Sequence, residues 1–123
     1  MSRSDNCPFC DLGERIIGEN ELAASLHDLQ PASRGHTLVV PKRHCTSFFD
    51  LTAAEVQACH DLLRSERERL LGELHPDGFN VGVNDGTAAG QSVEHMHWHL
   101  IPRYHGDHPD PRGGVRHVMP TRR

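Results

Sequence analysis

Hydrophobic and polar residues along this chain alternate in short blocks, broken by one long stretch of helical period. Arg15-Ile16-Ile17 and Leu22-Ala23-Ala24-Ser25-Leu26-His27 are β-like runs separated by Gly18-Glu19-Asn20-Glu21, the pattern of a hairpin. Pro31-Ala32-Ser33-Arg34-Gly35 has loop chemistry, and the β-branched run His36-Thr37-Leu38-Val39-Val40, stopped by Pro41, predicts a third strand. Thr52 and Glu55 have capping-box spacing. Val56, Cys59, Leu62, Leu63, Leu70, Leu71 and Leu74 then recur at helical intervals, so residues 53–74 are expected to form one long helix ended by Pro76-Asp77-Gly78. Phe79-Asn80-Val81-Gly82-Val83 alternates as a strand, and so does His95-Met96-His97-Trp98-His99-Leu100-Ile101. Between them lies the glycine-rich loop Asn84–Ser92. Beyond Tyr104, Pro109, Pro111, Gly113 and Gly114 predict an extended arm. Strands around one long helix give an α+β fold with an antiparallel sheet.

The 123 residues suit a single domain, with a core at about 7–107, an N-terminal tail at 1–6 and the arm at 108–123. No apolar run approaches the roughly 20 residues of a membrane-spanning helix, and Met1-Ser2-Arg3-Ser4-Asp5 lacks a signal-peptide apolar region, so a cytoplasmic protein with no membrane partner is expected. With 13 Lys+Arg against 17 Asp+Glu the formal charge is −4, which argues against bulk attraction to nucleic acid. Any phosphate contact must then come from particular residues. The conspicuous excess is 11 histidines.

On a strand, the alternation from His95 to Ile101 would set His95, His97 and His99 on one face and Met96, Trp98 and Leu100 on the other. Neighbouring imidazoles, about 6.6 Å apart along the strand, could then flank one phosphate. Such a row suits either a metal or a nucleophile with its helpers. The preceding loop favours the nucleophile, because Gly86, Gly90, Gln91 and Ser92 offer N–H groups and a hydroxyl to an anion. Cys7-Pro8-Phe9-Cys10, without a secretory signal, reads as metal-binding or redox, and Cys45 and Cys59 as buried thiols.

These segments together resemble the histidine triad (HIT) family of nucleotide hydrolases and nucleotidyl transferases, specifically its zinc-bearing bacterial-type branch. The matching residues are His95-Met-His97-Trp-His99-Leu-Ile, Gly90-Gln91-Ser92-Val93, Gly35-His36-Thr-Leu-Val-Val-Pro41, Leu26-His27-Asp28-Leu29, Pro41-Lys-Arg-His44 and Ile101-Pro102-Arg103-Tyr104-His105-Gly106-Asp107. They run in the same order over residues 7–107. The resemblance implies an antiparallel sheet of about five strands with one long helix and short helical segments, in a homodimer.

It also implies covalent catalysis: His97 attacks the α-phosphorus of a purine nucleotide, water hydrolyses the adduct, and no organic cofactor is needed. His99 would stabilise the phosphoryl oxygens, His36 would support the triad, and Ser92 would donate to the leaving group. Asp28 would accept from the ribose hydroxyls, with Leu26, His27 and Leu29 forming the base slot. Asn84, Gly90, Gln91 and Val93 would meet the phosphate or leaving group. Taken alone, Asp28 also reads as an Asx-turn residue, and Leu26 and Leu29 as core. In the same resemblance Cys7, Cys10, His44 and His95 form a structural zinc site. Histidine rather than glutamine at 99 favours hydrolysis over transfer. Leaving-group cues divide: Ile101-Pro102-Arg103…Gly106-Asp107 resembles the dinucleoside polyphosphate branch, while Asn84-Asp85-Gly86…Gly90-Gln91-Ser92 resembles the phosphoramidase branch. The alternative is a zinc-stabilised nucleotide-binding or regulatory protein with incidental catalysis.

The run Arg64-Ser-Glu-Arg-Glu-Arg69 reads as a solvated helix face. Arg112, Arg116, Arg122 and Arg123 read as a basic tail within reach of a polyphosphate.

Overall fold

A computed structural model describes residues 6–119; Arg122, Arg123 and residues 1–5 of the N-terminal tail lie outside the described residues. Five strands, β1 (Ile16–Glu19), β2 (Ala23–His27), β3 (Thr37–Pro41), β4 (Gly78–Val83) and β5 (Trp98–Arg103), form one sheet in the order β1-β2-β3-β5-β4. Every pairing is antiparallel. A single long helix, α1 (Ala53–Leu74), crosses one face. Single 3₁₀ turns punctuate the loops, and one, at Gly114–Val118, interrupts the arm expected to be extended.

Helix α1 starts where its local chemistry dictates. The Thr52 hydroxyl accepts from the Glu55 N–H at 3.1 Å while the Glu55 carboxylate accepts from the Thr52 N–H at 2.8 Å. Its apolar stripe, Cys59, Leu62, Leu63 and Leu70, packs on Ala23, Val39 and Leu100 of the sheet. On the other face, Ala24, Leu26, Leu38 and Val40 are covered by Phe9 and Leu12 of the N-terminal knuckle. Strands β2 and β3 are therefore buried on both sides, which explains their nearly unbroken apolar sequences.

Two helix positions depart from the periodic reading. Val56 is exposed, and Glu66, within the run expected to be solvated, is buried. Its carboxylate accepts from the Ser25 hydroxyl at 2.9 Å and from Arg69 Nε at 2.8 Å, which satisfies the charge inside the core.

Gly35 precedes β3 with φ +91°, and a Cβ there would meet Leu74 Cδ1 at 2.7 Å, Leu70 Cδ2 at 2.9 Å and Pro102 Cγ at 3.2 Å. Both conformation and space require glycine. Gly35→Ala is expected to cost about 2–3 kcal/mol, read as a lower urea midpoint with an unchanged slope.

Candidate active site

His99 meets both His36 and His97, while His95 turns to the N-terminal knuckle, so the three histidines are not a row along one strand. β5 begins only at Trp98, so His95, Met96 and His97 precede the ladder. The register that sets Val39 opposite Trp98 would bring Pro41 opposite Met96. Pro41 has no N–H to pair, and its carbonyl oxygen lies 2.7 Å from His95 Nε2. The Met96 N–H turns instead to the Cys45 carbonyl at 2.6 Å. The rings of His97 and His99 still lie side by side, with centroids 5.0 Å apart and planes at 64°.

Hydrogen bonds to the backbone assign a proton to one nitrogen of each ring. His97 Nδ1 is 2.9 Å from the His95 carbonyl oxygen, which can only accept. The proton is thus on Nδ1, and Nε2 keeps its lone pair. For His36 the logic reverses: the Ala32 N–H donates to Nδ1 at 2.9 Å, so the ring proton is on Nε2. That N–H donates to His99 Nδ1 at 2.9 Å and lies 3.3 Å from Asp28 Oδ2. His99 consequently carries its proton on Nε2, a buried atom with no hydrogen-bond partner among the described residues. Burial lowers the pKa of His36, opposed by the Asp28 carboxylate. His99 is pushed down to about 4 by burial, then by its neighbours His97 and His36. Both rings are neutral near pH 7. The result is a lone pair on His97 beside an N–H donor on His99, a pairing suited to attack on an electrophile whose oxygens gain charge.

A second cluster surrounds the knuckle. Cys7 Sγ is 3.2 Å from His95 Nδ1, and Cys10 Sγ is 3.2 Å from His44 Nδ1 and 3.5 Å from His95 Nδ1. All four ligand atoms lie within 4.8 Å of one another. Adjacent sulfur and nitrogen ligands of a tetrahedral zinc site stand about 3.5 Å apart. The Pro41 carbonyl holds the His95 proton on Nε2, leaving Nδ1 free to ligate, as a supported metal ligand requires. These residues therefore fit a metal. Asp28, His36 and His99 also bring three ligand atoms within 4.8 Å, but the Ala32 N–H occupies the His36 Nδ1 lone pair. Ligation through His36 Nε2 would move the ring proton onto Nδ1, against that N–H. This group is a hydrogen-bond relay.

Phe9, inside the knuckle, presents its ring edge-on to His97 at 5.1 Å and to His95 at 6.0 Å, joining the two clusters. Sequence reasoning passed over it; its signal is an apolar residue enclosed between two metal-type cysteines. The Ala32 N–H has no sequence signal, because any non-proline residue there supplies one.

The residues assigned to nucleotide contact are spread unevenly. Asp28 accepts from the Gln30 N–H at 2.8 Å, the Asx turn, while its other oxygen faces His36. Leu26 is fully buried, whereas His27 and Leu29 are exposed at the end of β2. Gly90 and Ser92 are exposed, and Asn84 and Val93 half-buried. Gln91 is buried, its amide engaged inside the loop. Ser92, with Cys7 and His44, lines a cleft of about 300 Å³. Another, of about 340 Å³, reaches His36 and His99 between β4 and the arm residues Val115 and Val118. A wider cavity, about 640 Å³, is lined instead by the turn from Tyr104 to Pro111. There Arg103 is spent on a two-point pair with Asp107 and on Asn80, so the histidine end is the better candidate for chemistry. His60, His75, His105, His108 and His117 are exposed.

Comparison with known proteins places these features in a family context. The profile described as "HIT domain" matches residues 11–106. The chain is 39% identical over 106 residues, 82% of this chain and 75% of the other, to an uncharacterised HIT-like protein, MG132, of Mycoplasma genitalium. It is 32% identical over 103 residues, 80% of this chain and 74% of the other, to adenosine 5'-monophosphoramidase hnt1 of Schizosaccharomyces pombe. Over 93 residues it is 36% identical to an AP-4-A phosphorylase of Mycobacterium tuberculosis, covering 75% of this chain and 48% of that protein. Among solved structures, a zinc-bound histidine triad family protein from Mycobacterium smegmatis superposes with a TM-score of 0.76 at 34% identity, covering 92% of this chain and 90% of the other.

Proposed function

This chain belongs to the HIT domain family, and from that premise we propose that it is a hydrolase that cleaves the α-phosphate linkage of a purine nucleotide through a nucleotidyl-His97 intermediate. The observation that carries the reading is the proton assignment across the triad. His97 Nε2 holds a lone pair because Nδ1 donates to the His95 carbonyl, and His99 offers a buried Nε2–H beside it. His97 Nε2 attacks the α-phosphorus; a P–N bond forms as the bond to the leaving group breaks, and the leaving group departs with its electron pair and takes a proton from solvent, which is returned when the water of the second step gives one up. Water then adds to phosphorus, the P–N bond breaks, and nucleoside monophosphate leaves with His97 neutral again. The His99 N–H, supported by His36, meets the phosphoryl oxygens as charge builds.

Ser92 donates on the leaving-group side, with Asn84, Gly90 and Val93 around the phosphate. Asp28, beside the relay, is within the reach of ribose hydroxyls, and His27 and Leu29 border the base. The substrate is a nucleoside phosphoramidate or a dinucleoside polyphosphate; an hnt1-like phosphoramidase and an AP-4-A phosphorylase among the relatives support both classes. Cys7, Cys10, His44 and His95 would hold zinc, which supplies a fixed tetrahedral anchor between knuckle and triad and no open position for chemistry. No helix among the described residues is long and apolar enough to cross a membrane; the cytoplasmic location we propose comes from the reading of the sequence alone. Two copies join through β4, an edge strand whose Val81 is 46% exposed.

A rapid-quench panel of adenosine and guanosine phosphoramidates and dinucleoside polyphosphates, read by intact mass, tests this. One nucleotidyl group on His97, with burst kinetics, is expected. Nucleotide binding with neither adduct nor turnover would overturn the enzyme in favour of a binding or regulatory protein.

A further inference from the structure

The loop that meets the phosphate in the reading above is fastened at both ends to one turn. Near its end, Gln91 is only 9% exposed and uses its whole amide. Oε1 accepts from the Gly86 N–H at 2.8 Å, and Nε2 donates to the Thr46 carbonyl at 2.8 Å and the Val93 carbonyl at 3.1 Å. Near its start, Asp85 Oδ1 accepts from the Ser47 hydroxyl at 2.9 Å and the Phe48 N–H at 2.8 Å. The turn at 46–48 does not move freely, since the Cys45 carbonyl beside it accepts from the Met96 N–H within the triad segment. Between the two fastenings, Gly86 and Gly90 both stand at φ +95°, and the Thr87–Ala89 turn is exposed.

Asp85 follows Asn84 and Gln91 precedes Ser92. The residues assigned to the phosphate are thus the chain neighbours of the residues that tie the loop down. We propose that Asp85 and Gln91 are positioning residues, a clasp that sets Asn84 and Ser92 before nucleotide arrives, and that the Gln91 side chain does not contact substrate. This rests on the hydrolase reading. The clasp restrains groups that act on the transition state, so its loss falls on kcat more than on KM.

The test uses the full-length, zinc-loaded protein with adenosine phosphoramidate and a dinucleoside polyphosphate at 20 °C. Gln91→Ala and Asp85→Ala are expected to lower kcat by about 10- to 100-fold with KM within about threefold. Asp85→Asn, which keeps an acceptor for Ser47 and Phe48, should restore kcat to within about twofold of wild type. Gln91→Glu keeps the acceptor for Gly86 but loses both donations and should match Gln91→Ala. Asp85 lies at the exposed surface, so its variants fold even if the Gln91 variants do not. Alanine variants with wild-type kcat, an equal loss in Asp85→Asn, or a loss confined to KM would overturn the clasp while leaving the hydrolase intact. A wild-type protein without turnover or adduct would overturn the hydrolase, and the clasp with it.

Discussion

His97→Gly protein is expected to form no nucleotidyl adduct and to lose at least about 10⁴-fold in kcat, while binding nucleoside monophosphate with affinity close to wild type. The loss is large because glycine removes the His97 Nε2 lone pair that the proposed reaction uses as nucleophile, left unprotonated by the bond from Nδ1 to the His95 carbonyl. Binding survives because the ribose and base contacts proposed for Asp28, His27 and Leu29 come from the end of β2, not from the triad segment. His99→Ala should behave differently. It removes an N–H donor and should cost about 10²–10³-fold in kcat, with a slower but detectable adduct still mapped to residue 97. Rapid quenching with peptide mapping separates the two. An adduct that persists in His97→Gly, or that vanishes only in His99→Ala, would move the nucleophile elsewhere.

Much of this site was legible because its signals are local. Thr52 and Glu55 satisfy each other three residues apart, and the apolar period of α1 follows directly. The loop before the triad announced itself by Gly86 and Gly90, both of which adopt positive φ. The start of β5 was not legible. Alternation from His95 onward is a strand pattern, but Pro41 cannot continue the ladder and spends its carbonyl on the His95 ring, contacts 54 residues apart. Glu66 misled for the same reason: a carboxylate in a charged run reads as solvated unless Ser25, 41 residues away, is known to lie beneath it. The tautomers were out of reach in principle. The requirement that His97 donate to a carbonyl follows from chemistry, but which carbonyl does so, and that Ala32 fixes His36, emerges only when backbone and side chain are seen together.

Stripping metal from a zinc-loaded sample is expected to lower Tm by about 15 °C, corresponding to roughly 4 kcal/mol for a metal held a thousandfold above its dissociation constant. The knuckle explains the size. Residues 7–12 are the cover for β2 and β3 on the face opposite α1, with Phe9 and Leu12 buried against Ala24, Leu26, Leu38 and Val40. Short of the metal, that cover is joined to the rest of the molecule through a 3₁₀ turn at Gly13–Arg15 and the edge strand β1, a thin connection for so much apolar surface. Ligation by His44 and His95 would tie it at two further points. Cys10→Ser and His44→Ala should each reproduce most of the loss, and added zinc should restore the wild-type chain but neither variant. Catalysis should respond second: Phe9 stands edge-on to His97, so a loosened knuckle frees the nucleophile's ring and slows adduct formation at temperatures where the sheet and helix are still folded. Far-ultraviolet circular dichroism alongside quenched adduct yields would resolve that order. Equal melting temperatures before and after verified metal removal, or adduct formation lost while melting stays unchanged, would show that these four residues do not anchor the fold.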